Sequence, residues 1–399
     1  MTNPGVETFF AEDRSAISKE AILSVFKEKY QGFPLPVRSP GRVNLIGEHT
    51  DYNEGFVLPA AIDKETRVVM SLREDNDINI YSIDLDDNYK GKIDDLKRSE
   101  KGWPNYILGV ADQLIKAGHQ IKGFNCVFGG NIPIGAGLSS SAALECATIF
   151  GLNELNHLKI EKVRLVKFAQ AAENHFVGVQ CGIMDQFISM FGRKNQVFKL
   201  DCRDLSYEYF PFMTEGIKIV LLDTQVKHSL NSSEYNTRRQ QCEAGVNMLK
   251  KYNSSIYSLR DVSLPLLKEH REEMDPIVYK RCEYVLEENE RLLRGCESLK
   301  DGDLKAFGQK MYESHEGLSR KYEVSCPELD FLVEFSKKES AVLGARMMGG
   351  GFGGCTINIV KEQDLEAFIE KAAKEYKKAT GIDLKAYAAV IEDGTSVVD

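Results

Sequence analysis

Two carboxylates and an imidazole stand close together near the start of the chain. They are Glu48, His49 and Asp51. They follow residues 42–46, whose alternation is typical of a strand, and Gly47 ends that strand. Such groups can accept and donate hydrogen bonds to several adjacent hydroxyls, as a sugar requires, and a rigid strand end displays them well. A plain hydrophilic turn has the same composition, so this cluster alone leaves both interpretations open.

A second chemistry-bearing stretch is the glycine- and serine-rich sequence at residues 135–143. It lies between a predicted strand, residues 121–128, and a predicted helix, residues 141–155. Glycines allow backbone N–H groups to turn inward, and we expect the serines to cap the helix, whose positive end then faces the same concavity. A phosphate cradle and an ordinary capped turn both fit. A Walker A loop does not, because no lysine lies between Lys122 and Lys159.

Single charged residues add to these two stretches. Arg42 lies six residues before Glu48, where it can reach a phosphate from the same strand. Asp185 follows an apolar Gly/Cys/Met segment, and a lone acid there is either paired or functional. Glu173 lies in a predicted helix and by itself reads as an ordinary surface charge. The single tryptophan, Trp103, can either stack on a nucleotide base or pack at a helix start.

A glycine run at residues 349–354 satisfies the pattern G-x-G-x-x-G. A predicted strand, residues 356–360, follows it instead of a helix, so the run does not indicate a dinucleotide fold. Glycines there let two backbones pass closely or expose bare backbone to a ligand.

The predicted elements make an α+β protein whose second half is the more helical. A polar stretch at residues 201–216 contains Pro211 and marks the expected domain junction. Besides the elements already named, we predict helices at residues 15–30, 103–117, 163–176, 234–252, 277–293, 304–320, 328–338 and 365–379, strands at 66–72, 77–83, 197–200, 217–222, 345–348 and 386–391, and a solvated acidic loop at 84–95.

Length and composition exclude several classes of protein. A chain of 399 residues is long for one core, so two domains are expected. The net charge of −9 argues against nucleic acid or an anionic membrane as partner. The nine cysteines form no Cys-x-x-Cys pattern, and no apolar run is long enough to span a membrane. We therefore expect a cytoplasmic protein with reduced thiols, no structural zinc and no membrane anchor.

Three motifs together resemble the GHMP small-molecule kinases. They are Gly-Arg-Val-Asn-Leu-Ile-Gly-Glu-His-Thr-Asp-Tyr-Asn at residues 41–53, the stretch 135–143, and the run 349–354. The first is similar to the galactokinase signature in nearly every letter, whereas the other two are shared across the superfamily. The resemblance continues through residues 181–187 and 228–235, and thus covers most of the chain.

This resemblance implies a fold and an activity. The N-terminal domain, residues 1–212, would be like domain 2 of ribosomal protein S5, and the C-terminal domain, residues 213–399, would be ferredoxin-like. The active site would lie in the cleft between them. The expected reaction is ATP-dependent phosphorylation of D-galactose at its C1 hydroxyl, giving α-D-galactose 1-phosphate and ADP. Magnesium would assist, and the enzyme would be a monomer.

The resemblance also assigns roles by position. Asp185 would face the C1 hydroxyl as catalytic base with Arg42 beside it, and whether it takes the proton early or mainly orients the hydroxyl stays open. Magnesium would lie near Ser141 and Glu173. The positions that match sugar contacts are Glu48, His49, Thr50, Asp51, Gly182, Asp185 and Tyr235. The positions that match the nucleotide phosphate loop are Gly135, Ala136, Gly137, Leu138, Ser139, Ser140 and Ser141.

Two other functions stay open at this point. A GHMP kinase for another sugar, such as N-acetylgalactosamine or arabinose, would have similar motifs, because the pocket around C2 cannot be read from the sequence. A galactose- and ATP-binding sensor without turnover is the other alternative. Such relatives tend to be damaged in the glycine-serine loop, which is intact here at residues 139–143.

Overall fold

A computed structural model describes residues 17–133, 136–212, 215–226 and 231–398, with only the backbone described at 231–233. The helices in these ranges are α1 Lys19–Lys29, α2 Asn105–Lys116, α3 Ser140–Leu155, α4 Lys162–Ala171, α5 Met184–Phe191, α6 Asn231–Leu249, α7 Leu264–Glu269, α8 Pro276–Lys300, α9 Leu304–Gly317, α10 Pro327–Lys338 and α11 Leu365–Thr380. The strands are β1 Leu35–Asn44, β2 Phe56–Val57, β3 Pro59–Leu72, β4 Asp77–Ser82, β5 Asp87–Lys92, β6 Phe124–Gly130, β7 Gln196–Asp201, β8 Tyr207–Pro211, β9 Ile217–Asp223, β10 Val342–Met347, β11 Cys355–Lys361, β12 Lys385–Ala389 and β13 Ser396–Val397.

The first half of the chain is built on a six-stranded sheet in the order β13-β1-β3-β6-β4-β5. Only β4 and β6 pair in parallel among these strands. Successive side chains of a strand point to opposite faces, so β3 packs on both sides. Val68 and Met70 join the core that contains helices α2 to α5, whereas Val69 packs with Ile22 and Phe26 of helix α1.

The second half contains a four-stranded antiparallel sheet in the order β10-β11-β9-β12. Numbered by appearance in this half, the order is 2-3-1-4, with helices between the first and second strands and between the third and fourth. That is the order of a ferredoxin-like sheet, as predicted. Val220 and Leu222 of β9 pack against Val333 of α10 and Phe368 of α11.

A shared apolar core joins the two halves. Val43 and Leu45, at the end of β1, pack with Leu292 of α8, Phe307 of α9 and Ile357 of β11. The chain also returns near its end, since β13 pairs with β1 in the first sheet. These contacts fix the end of β1 against the second sheet, where the predicted site residues begin.

The structure corrects three local predictions. The acidic segment 84–95 contains strand β5, because its alternating side chains form an exposed sheet edge. Strand β8 lies within the predicted junction, where it pairs with β7. Ser139 precedes helix α3 in a left-handed conformation (φ 58°) and makes no capping hydrogen bond, so the predicted serine cap is wrong. The other predicted helices and strands occur with shifted ends; residues 15 and 16 lie outside the described ranges.

Within the described ranges, no helix is both long and apolar enough to cross a membrane.

Candidate active site

A cavity of about 650 Å³ lies where the two halves meet, and it is lined by residues from both. It brings together groups that are far apart in the sequence, including part of the glycine-serine stretch and the late glycine run. The predicted site residues that line it are Arg42, Glu48, His49, Asp51, Ala136, Gly137, Glu173, Gly182, Asp185 and Tyr235.

Arg42 and Asp185 form a two-point ion pair in this cavity. Arg42 Nε donates to Asp185 Oδ1 at 2.7 Å, and Nη2 donates to Oδ2 at 2.8 Å. The third arginine nitrogen donates to the Gly137 carbonyl at 2.6 Å, and the Ser139 hydroxyl also donates to Asp185. Burial lowers the pKa of Arg42, but the charge and hydrogen bonds of Asp185, together with the charges of Glu48 and Asp51, raise it above its usual value, so the guanidinium stays charged.

A bulge in β1 brings this strand against the glycine-serine loop. The register of β1 shifts between Pro40 and Arg42, at Gly41. A Cβ at Gly41 would lie 2.6 Å from the Leu138 carbonyl oxygen, so only glycine leaves room for the loop. The same carbonyl accepts the Arg42 backbone N–H at 3.1 Å. The bulge therefore orients the Arg42 side chain toward the loop.

The rest of the predicted phosphate loop is distributed around the start of α3. Gly137 and Ser140 are exposed, whereas Ala136 and Leu138 are buried in the core shared by the two halves. Ser141 faces the Glu173 carboxyl, where its hydrogen bond partly offsets the rise in pKa that burial and the Asp185 charge cause. Gly135 lies outside the described residues.

One side of the cavity, here called the glycine wall, consists of Glu48, His49, Gly349 and Gly350. Glu48 Oε1 accepts hydrogen bonds from Arg346 Nη2 at 2.9 Å and from the Gly349 N–H at 2.8 Å. Arg346 is fully buried and also donates to the backbone carbonyls at residues 44, 45 and 347. The wall therefore ties the end of β1 to the strand that precedes the glycine run.

The glycine run both passes close to other backbone and lines the cavity. A Cβ at Gly351 would collide with the Val324 carbonyl, and one at Gly353 with the Val226 carbonyl. Both residues have positive φ, at 86° and 129°. Bulkier residues would push the run away from both neighbouring segments and change the shape of the wall.

Asp51 lies half-buried beside Gly182. A Cβ on Gly182 would overlap the Asp51 carboxylate, so this glycine makes room for the acid. Burial raises the pKa of Asp51 to about 6, and the Asp185 charge adds to the effect. Asp51 therefore changes charge near neutral pH, which is unusual for an aspartate.

Three carboxyls lie close together, here called the acidic cluster: Glu145, Glu173 and Asp185, of which Glu173 and Asp185 line the cavity. Gln186 Nε2 donates to Glu145 at 3.0 Å and to Glu173 at 2.7 Å. Glu145 is fully buried, and among the described residues its Oε1 has no hydrogen-bond partner. Burial raises the pKa of both glutamates, with their mutual charge adding at Glu145 and the Asp185 charge adding at Glu173. The cluster thus carries more acid groups than the surrounding donors can satisfy.

Thr50 and Trp103 lie outside the cavity, whereas Tyr235 lines it beside His49. Thr50 is fully buried and its hydroxyl donates to the Gly47 carbonyl at 2.9 Å, which closes the turn after β1. The Tyr235 ring lies 5.3 Å from the His49 ring, centroid to centroid. Trp103 donates to Asp87 at 3.1 Å and packs against Phe128, so it stabilises the first sheet rather than stacking in the cavity.

Three family models match this chain. "Galactokinase galactose-binding signature" matches residues 24–72, "GHMP kinases N terminal domain" matches residues 105–193, and "GHMP kinases C terminal" matches residues 296–378.

Curated relatives match over nearly the full length. The galactokinase of Roseiflexus sp. (strain RS-1) is 43% identical over 374 residues, which cover 94% of this chain and 95% of that protein. The chain belongs to the galactokinase family. Another galactokinase, from Clostridium acetobutylicum, is 42% identical over 385 residues, with 95% of this chain and 98% of that protein covered.

Solved structures agree with membership of the galactokinase family. The Lactococcus lactis galactokinase complexed with galactose superposes with a TM-score of 0.91 at 34% identity, covering 95% of this chain and 99% of that one. A Methanococcus jannaschii mevalonate kinase superposes at 0.62 and 18% identity over 91% of this chain and all of that one, which shows the shared GHMP kinase fold alone.

The sequence reasoning missed three buried residues of this galactokinase family member. Arg346 is a charge in a strand that is otherwise apolar, three residues before the glycine run. Glu145 is the only acid in the first eleven residues of α3, a helix with no polar face there. Gln186 directly follows Asp185. A charged or amide side chain within an apolar segment was the available signal in each case.

Proposed function

We propose that the protein is an ATP-dependent galactose kinase that phosphorylates D-galactose at the C1 hydroxyl, giving α-D-galactose 1-phosphate and ADP. The observation that carries this proposal is the Arg42–Asp185 pair, which lies in one cavity with Glu48, His49 and Asp51 on one side and Gly137 on another. A hydroxyl between these groups would have a carboxylate beside it and a cation near the incoming phosphoryl group.

The hydrogen bonds of Asp185 support a role as the group that accepts the C1 hydroxyl proton. A carboxylate offers about four lone-pair positions. Arg42 and Ser139 occupy three of them, which leaves one for a substrate hydroxyl. These donors hold the carboxylate in one orientation. Asp185 can therefore orient the hydroxyl and receive its proton as the bond to phosphorus forms.

Arg42 would act on the phosphoryl group. Its guanidinium stays charged beside Asp185 and is held at three points, so little reorganisation is needed as negative charge spreads over the transferred group. The phosphates of ATP would lie along residues 135–141, of which Gly137 and Ser140 are exposed at the start of α3. For the sugar, we propose contacts from Glu48, His49, Asp51, Gly182, Asp185 and Tyr235, with the buried Thr50 closing the turn that carries the first three.

We propose Ser141 and Glu173 as the residues that would hold Mg²⁺. The described part of the chain contains no group of three or more His, Cys, Asp or Glu residues arranged to hold a metal ion by itself. Mg²⁺ in nucleotide enzymes takes one or two protein ligands and completes its shell with phosphates and waters. The unpartnered Glu145 Oε1 and the crowded acidic cluster fit a nearby cation. When bound, the ion would neutralise phosphate charge.

The test is a kinase assay on a panel of monosaccharides with ATP, with the product's phosphate located by NMR. Galactose should give the highest kcat/KM, with phosphorus on the C1 oxygen. Higher turnover of N-acetylgalactosamine or arabinose would indicate another sugar kinase. Tight binding of galactose and ATP without turnover would indicate a sensor.

We also propose the domain division 1–212 and 213–399, a monomeric state and a cytoplasmic location. The four-stranded sheet lies wholly in the second part, which supports the division. All nine cysteines are free thiols, as expected in a reducing compartment. Limited proteolysis should cut near residue 212 before other sites, and light scattering should give the mass of one chain, 44.9 kDa.

A further inference from the structure

A line of four hydrogen bonds runs from the glycine run through His49 and into the second half of the molecule. His49 Nε2 lies 3.2 Å from the Gly350 carbonyl oxygen, and Nδ1 lies 2.8 Å from the Tyr52 hydroxyl. The Tyr52 hydroxyl lies 2.8 Å from that of Tyr322, which lies 3.2 Å from Cys242 Sγ. His49, Tyr322 and Cys242 are each at most 4% exposed, and Tyr52 is partly buried between them.

The chemistry of these groups fixes the direction of every bond in the line. A carbonyl oxygen can only accept, so His49 Nε2 carries the hydrogen. Burial lowers the pKa of His49 to about 4, so the ring is neutral near pH 7 and Nδ1 must accept. Tyr52 therefore donates to His49 and accepts from Tyr322. Burial raises the pKa of Cys242 to about 11, so its thiol keeps the hydrogen that it donates to Tyr322.

The line connects four segments that meet at the cavity. His49 and Tyr52 follow β1, Gly350 follows β10, Tyr322 ends the turn after α9, and Cys242 lies on α6. His49 has a positive φ of 62°, a conformation that a residue with a side chain rarely adopts. The hydrogen bonds at both ring nitrogens hold the ring in its orientation toward the cavity.

We propose that Tyr52 and Tyr322 are positioning residues that hold His49 in the Nε2–H form and so fix the glycine run against the sugar motif. Neither tyrosine needs to touch the sugar. The effect on galactose rests on the proposed function, whereas the form of the His49 ring can be measured without any substrate.

The first experiment is a long-range ¹H–¹⁵N correlation spectrum of the full chain labelled at histidine nitrogen, at pH 7 and without ligands. The chain has seven histidines, so the His49 signals are assigned by their loss in His49→Gln. A neutral ring with hydrogen on Nε2 is expected. A charged ring, or hydrogen on Nδ1, would overturn the proposal. In Tyr52→Phe the Gly350 carbonyl still favours hydrogen on Nε2, but Nδ1 loses its donor, so the Nδ1 resonance should move toward that of a nitrogen without a hydrogen bond. An unchanged Nδ1 resonance would contradict the proposed role of Tyr52.

The second experiment compares galactose kinetics of three variants. Tyr52→Phe should raise the KM for galactose about tenfold and Tyr322→Phe about threefold, the range that one net hydrogen bond supports. The kcat should stay within about twofold, because a contact that holds galactose equally in the ground and transition states changes KM and not kcat. The KM for ATP should not change. Tyr312→Phe is the matched control, since its buried hydroxyl has no partner among the described residues.

The two experiments distinguish failure of the positioning role from failure of the proposed function. Equal galactose KM values in Tyr52→Phe, Tyr322→Phe and Tyr312→Phe would contradict the positioning role. If Tyr52→Phe does not fold, the His49 spectrum of Tyr322→Phe and of the natural chain still decides the proposal. If the natural chain does not phosphorylate galactose while His49 shows the expected spectrum, the proposed function fails and the hydrogen-bond line stands.

Discussion

The glycine wall lines the cavity, the acidic cluster reaches it through Glu173 and Asp185, and the two differ in how their polar groups are satisfied. In the glycine wall, Glu48 has Arg346 and a backbone N–H as donors, and both nitrogens of His49 have protein partners. In the acidic cluster, Glu145 Oε1 has no partner within the described ranges, and neither has Oε1 of the neighbouring Gln186. The glycine wall is therefore preorganised by the protein alone, whereas the acidic cluster holds an excess of acid groups that suits a cationic ligand.

The largest expected effect comes from a substitution that disrupts the glycine wall. Arg346→Met removes a fully buried cation and leaves Glu48 with an unpaired charge. Loss of one partner of a buried pair typically costs about 3–5 kcal/mol of the free energy of unfolding. Urea unfolding measures it. The double variant with Glu48→Gln should recover part of the loss, because no buried charge is then left alone. A loss below about 1 kcal/mol would show that the wall does not depend on this pair.

The next prediction acts on the acidic cluster. Asp185→Asn should lower kcat at least about a hundredfold, the lower range for removal of a general base, while galactose still binds. Steady-state kinetics and calorimetric titration with galactose measure the two parts. Asp201→Asn is a control, since it breaks a half-buried pair with Arg260 and does not line the cavity. Nearly full turnover in Asp185→Asn would remove the proposed role of this carboxylate.

A smaller effect is expected from a substitution at Gly182, which lies beside Asp51. Gly182→Ala places a methyl group where the Asp51 carboxylate lies, so the acid must move. The KM for galactose should rise about tenfold, as for loss of one charged hydrogen bond. The KM for ATP is the internal control and should not change. An unchanged KM for galactose would indicate that Asp51 does not contact the sugar.

The smallest effect is a pH dependence. With a pKa of about 6, Asp51 is protonated below that pH and cannot accept from two hydroxyls. The kcat/KM for galactose should therefore rise with pH through about 6, and Asp51→Asn should flatten this rise. Asp185 and Glu48 are the charges that also act on Asp51, so neither is changed in the comparison. A rise that persists in Asp51→Asn would assign it to another group.

The pKa shifts of Asp51 and His49 have opposite effects on how the free energy of unfolding changes with pH. The folded protein holds the Asp51 proton more tightly than the unfolded chain, so this contribution to the free energy of unfolding falls as pH rises from about 4 to 6. His49 is harder to protonate when folded, so its contribution rises with pH from about 4 to 6.5. Asp51→Asn should therefore make the measured stability rise more steeply with pH across this range, which urea titrations at several pH values can measure.

Much of the fold and the composition of the candidate site could be predicted from the sequence. The alternation after Arg42, the glycines of 135–143 and the helical periods are interactions between near neighbours in the chain, and a single sequence displays those directly. The exposed strand β5 was missed because its polar outer face resembles a solvated loop. The serine cap was wrong because the Ser139 hydroxyl bonds with Asp185, which lies 46 residues away.

By itself, the sequence determined which chemical groups this protein has and the local elements that carry them. Only the tertiary structure decided how those groups are paired. Arg346 reaches Glu48 across 298 residues, and Tyr322 reaches Tyr52 across 270. Neither pairing follows from a local period, because a buried donor bonds with whichever acceptor the packing of distant segments brings within reach.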